Sequence, residues 1–151
     1  MRTFLARHLG RAHGAPADFA LVPLRVLAGV ALAHHGWGKI NNPFHWMGSG
    51  DDAFPAWLQS LAALSEFGGG IALAAGLVTP LACFGIGCTM AVAVSRHLGK
   101  GGTLTGPGGW ELAGVYLCVA VLFGLGGPGR FSLDALVLRR VFTRALGTPA
   151  S

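Results

Sequence analysis

The chain has 151 residues, of which 52% are hydrophobic and only 11% are charged. A soluble domain carries about 25% charged residues. The formal net charge is +5, but the basic residues concentrate in the two terminal tails, so the charge does not indicate a nucleic-acid partner. The composition excludes an ordinary soluble domain and favours an integral membrane protein whose first partner is the lipid bilayer.

Four long apolar segments, separated by turns rich in Pro and Gly, predict four membrane-spanning helices. We place them at about residues 19–39, 57–78, 80–98 and 110–126, each near the length of about 20 residues that crosses a bilayer. A soluble bundle would show a polar face on each helix, and these segments have none. The predicted fold is therefore all-α, a four-transmembrane-helix bundle that forms a single domain over residues 1–151.

Pro and Gly mark the helix ends. Asn41-Asn42-Pro43 ends the first helix, and Thr79-Pro80 predicts an N-cap followed by the first residue of the third. After the fourth helix, about residues 132–146 place apolar side chains opposite Arg139, Arg140 and Arg144. This pattern predicts a C-terminal amphipathic helix lying on anionic lipid headgroups.

The distribution of Lys and Arg predicts the orientation. The two tails hold seven such residues and the opposite loops hold three, counted as Arg2, Arg7, Arg11, Arg130, Arg139, Arg140 and Arg144 against Lys39, Arg96 and Lys100. Positive residues favour the cytoplasmic side. We therefore expect a multi-pass protein of the cell (plasma or inner) membrane with both termini cytoplasmic and the first helix retained as a signal anchor.

Arg25 and Glu66 are the charged residues that lie deepest in the apolar segments. Such a charge costs about 2.5–3.5 kcal/mol on insertion scales, so each needs a partner. Arg25 lies in the inner half of its helix and Glu66 near the middle of the next, with an axial gap on the order of 10 Å. We expect Arg25 to reach Glu66, directly or through water. A purely structural pair that fixes helix register is the alternative.

Four further ionisable side chains belong to the external helix ends: His35, Lys39, His97 and Glu111. Together with Arg25 and Glu66 they form the predicted ligand-binding or proton-handling set, in which Glu66 and these four side chains converge on the outer half of the bundle. The alternative is that they only extend to the membrane interface. On the other side of the first helix, His34 is predicted to face lipid or another subunit.

Gly68, Ala72 and Gly76 recur every four residues and predict a smooth packing stripe on the second helix. With only four short helices, a homodimer is a further expectation.

Spacing argues against a metal site. Cys83 and Cys88 lie five residues apart on one predicted helix and form no Cys-x-x-Cys pair. His35 and His97 lie at matching depth for a bis-His haem, but the sequence carries no attachment motif. We therefore predict no metal centre.

Several short motifs, in order, resemble the DoxX family. They are His35-Gly36-x-x-Lys39, Glu66-Phe-Gly-Gly-Gly70, Gly76-Leu-Val-Thr-Pro80, His97-Leu-Gly99, Gly109-Trp-Glu111 and Gly127-Pro-Gly-Arg-Phe-Ser-Leu-Asp134. The resemblance runs from about Leu24 to Leu136. It implies a small four-helix membrane protein and carries over the six candidate site residues together with Arg130 and Asp134, for which we expect structural roles.

The family resemblance also implies respiratory or oxidative-stress functions, since the related DoxD subunit belongs to a thiosulfate:quinone oxidoreductase. The leading hypothesis is a membrane subunit of a redox system whose polar pocket binds a quinone head group and which relies on a soluble redox partner for electrons. Any enzymatic activity would belong to that complex. No cofactor is certain, and quinone is the candidate. The alternatives are a small-solute, ion or proton permease and a non-catalytic membrane scaffold or assembly factor.

Overall fold

The computed structural model describes residues 15–48, 50 and 53–137. Within them lie four long helices: α1 (Ala15–Ile40), α2 (Ala56–Ala75), α3 (Thr79–Gly99) and α4 (Glu111–Gly126). The described residues contain no strand. The helices occupy the four apolar segments, and the all-α prediction is confirmed.

Three of these helices are long and apolar enough to cross a membrane: Pro16–Ile40, Ala56–Ala75 and Thr79–Gly99. The fourth, α4, is equally apolar but has 16 residues. At 1.5 Å per residue it measures about 24 Å, against a hydrocarbon core of about 30 Å. Membrane character therefore rests on α1, α2 and α3, and a crossing by α4 stays a prediction.

Consecutive helices run antiparallel. Gly29 of α1 lies against Ala74 of α2, whereas the later Gly36 lies against the earlier Phe67. The same reversal relates α2 to α3 and α3 to α4. Packing follows this order around the bundle, while α1 and α4, which would close the ring, meet only sparsely.

A fully apolar layer occupies the middle of the bundle. Leu32, Leu73, Ile86 and Phe123, one from each helix, are at most 1% exposed. The outward faces are rich in exposed Leu, Val, Phe and Trp, as a lipid-facing surface requires. The interior is thus apolar at mid-bundle, and the buried charges lie on either side of this layer.

Glycine allows α1 and α2 to approach closely. A methyl group on Gly29 would lie 2.5 Å from the Ala74 amide nitrogen, and one on Gly70 would lie 2.6 Å from the Ala33 nitrogen. The predicted Gly68 stripe does not make this contact, because a methyl on Gly68 would have only the Leu64 side chain within 4 Å. The face of α2 that meets α1 lies about 130° around the helix from Gly68 at 100° per residue.

The turn between α2 and α3 corrects two expectations. The second helix ends at Ala75 rather than residue 78, because Gly76 adopts a left-handed conformation with φ 64° and caps the helix C-terminus. Thr79 is the first residue of α3 and not its N-cap, a position held by Val78 with φ 46°. Asp134, in the segment after α4, supplies the hydrogen-bond acceptors for the backbone amides of Val78 and Thr79.

The predicted interfacial helix at about residues 132–146 lies mostly outside the described residues, of which 133–137 are helical. The arginines of both tails that predict the orientation, apart from Arg130, also lie outside them.

Candidate functional site

Lys39 and Glu66 form the central ion pair of the site. The Lys39 Nζ atom lies 2.6 Å from each carboxylate oxygen of Glu66. The Glu66 side chain is 5% exposed and that of Lys39 is 26% exposed. A buried carboxylate is thus matched by an ammonium group that still reaches the surface of the molecule.

The close approach of α1 and α2 creates this pair. A methyl group on Gly36 would collide with the Phe67 backbone, so the two helices touch at the level where Glu66 precedes Phe67. Lys39 lies one turn beyond Gly36, which brings its side chain over Glu66. The same glycine therefore positions both partners.

The connection between α1 and α2 covers Lys39. The Nζ atom lies 4.5 Å from the centre of the Trp46 ring, a cation–π distance. The Trp46 indole donates to the Gln59 backbone oxygen at 2.9 Å. The buried Gln59 side chain accepts from the Met47 amide at 3.0 Å and donates to the Phe54 oxygen at 2.7 Å. Gln59 thus fixes both sides of the loop that carries Trp46.

His35 extends the polar layer toward α4. Its ring meets the Tyr116 ring edge to face, with centroids 6.1 Å apart. His35 is exposed, whereas Tyr116 is 8% exposed. His35 precedes Gly36, which touches the backbone of Glu66 and Phe67, so the two rings lie near the height of Glu66, one turn before Lys39 on α1.

His97 and Glu111 do not join this layer. Ser65 lies opposite Thr89, and the eight residues from Thr89 to His97 carry His97 about 12 Å further along the bundle. There its Nδ1 atom donates to the Gly108 oxygen at 2.9 Å, since a carbonyl only accepts. The exposed Glu111 lies at the rim of an apolar groove of about 500 Å³ on the outer surface of α4. The expected convergence of all the outer side chains is not found.

The expected Arg25–Glu66 pair is wrong, because Glu66 pairs with Lys39. The guanidinium of Arg25 lies against Gly76, ten residues beyond Glu66 and about 15 Å along the axis of α2. α1 is shifted along α2 relative to the axial position expected from the sequence, and Arg25 therefore cannot reach Glu66. Arg25 instead donates to the Pro128 oxygen at 2.5 Å and the Phe131 oxygen at 2.8 Å.

Arg130 and Asp134 surround the same end of the molecule. Asp134 accepts from the backbone amides of Val78 at 2.7 Å and Thr79 at 2.9 Å, and its own amide donates to Gly76 at 2.9 Å. Arg130 lies 3.9 Å from the buried carboxylate of Asp18. These contacts attach the segment after α4 to α1 and to the α2–α3 turn.

The sequence reasoning missed Trp46, Gln59 and Tyr116. Gln59 carried a usable signal, since an amide within an apolar segment needs hydrogen-bond partners. Tyr116 is the single tyrosine of the chain, and a buried Tyr hydroxyl also seeks a partner. Trp46 carried no comparable signal, because its contact with Lys39 depends on how the loop folds back.

The DoxX family model matches residues 20–98, just over half of the chain. The matched region contains α2 and most of α1 and α3, including Lys39, Trp46, Gln59 and Glu66. Glu111, Tyr116 and Asp134 lie beyond it. No curated protein and no solved structure matches the chain.

Proposed function

Because the chain belongs to the DoxX family of membrane proteins, we propose that it is the membrane subunit of a redox or oxidative-stress-related system and that its Lys39–Glu66 site binds a quinone head group. The observation that carries this proposal is the Lys39–Glu66 pair itself, a buried carboxylate held by a partly exposed ammonium. Intramembrane charges of this kind mark functional sites.

The pair has the chemistry that a quinone carbonyl needs. An ammonium group has three donors, and two of the Lys39 donors are directed at the Glu66 oxygens. We expect the third to bind a carbonyl oxygen of the ligand. Trp46 offers an aromatic face beside the ammonium, against which a flat ring can stack.

His35 and the Lys39 ammonium are suited to supplying the protons that accompany quinone reduction, and the Glu66 carboxylate is suited to relaying them. Glu66 contacts Lys39 directly, and His35 lies one turn from Lys39 on α1. Side chains of these types move protons and not electrons, so the proposal includes an electron-donating partner protein. Any oxidoreductase activity belongs to that assembly.

The apolar middle layer favours a ligand-binding site over a transport path through the bundle. Leu32 and Leu73 lie between the Arg25 end and Glu66 and are at most 1% exposed. Arg25 and Lys39 are fourteen residues apart on α1, about 21 Å. A solute or ion crossing the bundle would have to pass this layer, whereas a ligand that binds Lys39 would not.

We also place the protein in the cell membrane with both termini cytoplasmic, from the excess of Lys and Arg in the tails. In this orientation the Lys39–Glu66 pair lies toward the outer face. Cysteine labelling at Ala17 and at Asn41, in a background with the native cysteines replaced, tests it. A membrane-impermeant maleimide applied to intact cells should label position 41 only.

The quinone proposal is tested by mass spectrometry of small molecules extracted from the gently solubilised protein. We expect a quinone to copurify with the wild type and to be lost from the double variant Lys39→Met with Glu66→Leu, which removes both charges together. Glu111→Gln is the matched control, because it neutralises an exposed acid outside the Lys39–Glu66 site and should retain the ligand.

Equal amounts of quinone in the wild type and the double variant would contradict the site. No quinone in any sample, even after quinone is added during solubilisation, would contradict the function and favour a permease or a scaffold. Proteoliposome flux would then separate those two, since only a permease moves solute without a partner.

A further inference from the structure

We infer that the seam between α1 and α4, at His35 and Tyr116, is the entrance through which a bilayer-dissolved molecule with a hydrogen-bonding head group reaches Lys39 and Glu66. This inference rests on the proposed function and adds the route and the class of ligand. The ligand is an amphipathic molecule with an apolar tail that remains in the lipid, not a water-soluble solute.

The seam is the weakest contact between neighbouring helices of the bundle. α1 packs closely on α2 and α4 packs on α3, but α1 and α4 meet only sparsely. At the far end of the molecule the seam is closed, because Arg25 bonds to the segment after α4 and Phe19 packs on Phe131 with ring centroids 5.3 Å apart. We therefore place the entrance in the other half of the seam, which contains Lys39.

The seam carries two polar side chains, one of which is exposed on a surface that is otherwise apolar. His35 is exposed and Tyr116 lies just inside it with 8% exposure. The flanking Leu112 of α4 is 51% exposed. An imidazole and a phenol offer hydrogen bonds to a polar head group that moves between them, and the apolar flank suits a tail that stays outside.

The side facing the loop is more restricted. Trp46 covers the ammonium group at 4.5 Å, and the loop that carries it is fixed by the buried Gln59. A molecule arriving from water would have to displace this loop. One arriving from the lipid would meet His35 first, one turn before Lys39 on α1.

The test follows the exchange of decylubiquinone between nanodiscs. Its fully substituted ring does not add to the exposed thiols of Cys88 and Cys118. Tagged nanodiscs that hold the protein are mixed with untagged ones that carry the quinone. They are recovered at intervals, and the quinone in excess over protein-free tagged nanodiscs is measured.

Leu112→Trp and Ala31→Trp each add a large side chain one turn from Tyr116 or His35. We expect about tenfold slower uptake with unchanged final occupancy for both variants. Leu112 is the safer site, since it is half exposed, whereas Ala31 packs on the core. Val30→Trp is the matched control, because Val30 is next to Ala31 but 58% exposed to lipid, and it should exchange like the wild type.

Wild-type uptake rates in both seam variants, with binding intact, would overturn the entrance and leave the quinone site standing. Faster uptake in Trp46→Ala together with unaffected seam variants would place the entrance under the loop instead. A wild-type protein that takes up no quinone would overturn the proposed function, and the entrance with it.

Discussion

The two ends of the bundle satisfy their buried charges in different ways. At one end Arg25 bonds to the backbone oxygens of Pro128 and Phe131, and Asp134 accepts from the backbone amides of Val78 and Thr79. At the other end Lys39 and Glu66 are matched mainly by each other. Arg25 and Asp134 thus use the backbone of the fold as their partner, whereas Lys39 and Glu66 use each other's side chains.

This difference separates structure from function. A charge bonded to the chain's own backbone is released only when that segment unfolds. A charge paired with another side chain can share its remaining donors with a ligand while the helices stay in place. We therefore expect changes at the Arg25 end to act on stability alone and changes at the Lys39 end to act on both stability and binding.

The largest effect should come from Lys39→Met. It leaves the buried Glu66 carboxylate without its partner, at a cost of about 3 kcal/mol in unfolding free energy. Thermal unfolding in detergent, followed by intrinsic fluorescence, measures this cost. Adding Glu66→Leu should recover most of the stability but no ligand. If the single and double variants are equally destabilised, the unpaired Glu66 carboxylate is not the cause of the lost stability.

Arg25→Leu should come next. It leaves the oxygens of Pro128 and Phe131 without a donor, which costs about 2 kcal/mol for the two groups together. Arg25→Lys should fall between this variant and the wild type, because an ammonium group cannot reproduce the guanidinium fork. The comparison of the two ends predicts undiminished quinone retention in Arg25→Lys. Loss of ligand there would show that the two ends are coupled.

A somewhat smaller effect is expected from Gly36→Ala, because the added methyl group meets the Phe67 backbone. Overpacking of this kind costs about 1–2 kcal/mol, and moving α1 away from α2 should also weaken ligand retention. Gly38→Ala is the matched control, since a methyl group there has nothing within 4 Å. Both variants are measured by the same unfolding and retention assays. An equal loss of stability in the two variants would contradict the close contact of Gly36 with Phe67 as the cause.

Asp134→Ala should have the smallest effect, about 1 kcal/mol, as expected for the loss of a helix cap. Asp134→Asn keeps one acceptor oxygen, and its unfolding free energy should fall by about half as much. Hydrogen exchange of the Val78 and Thr79 amides provides a local readout. Unchanged protection of these amides in Asp134→Ala would show that the carboxylate is not their essential acceptor.

The sequence predicted the candidate site in part. Lys39 and Glu66 were both identified, because a charge inside an apolar segment is visible without a structure. Their pairing was not predicted, since helical periodicity orders residues around one helix but does not fix how far the next helix is shifted along it. That shift depends on where Gly29, Gly36 and Gly70 allow the backbones to touch.

What the sequence by itself determined is the class of the molecule: an all-helical membrane protein of the DoxX family, with apolar segments that must be helical because lipid offers their backbones no other partners. Tertiary structure decided the partners. Lys39 rather than Arg25 meets Glu66, Trp46 folds over the ammonium, and Asp134 caps α3 from 55 residues away. Each of these contacts joins residues distant in the chain, and helix register and loop path, which local patterns do not encode, bring them together.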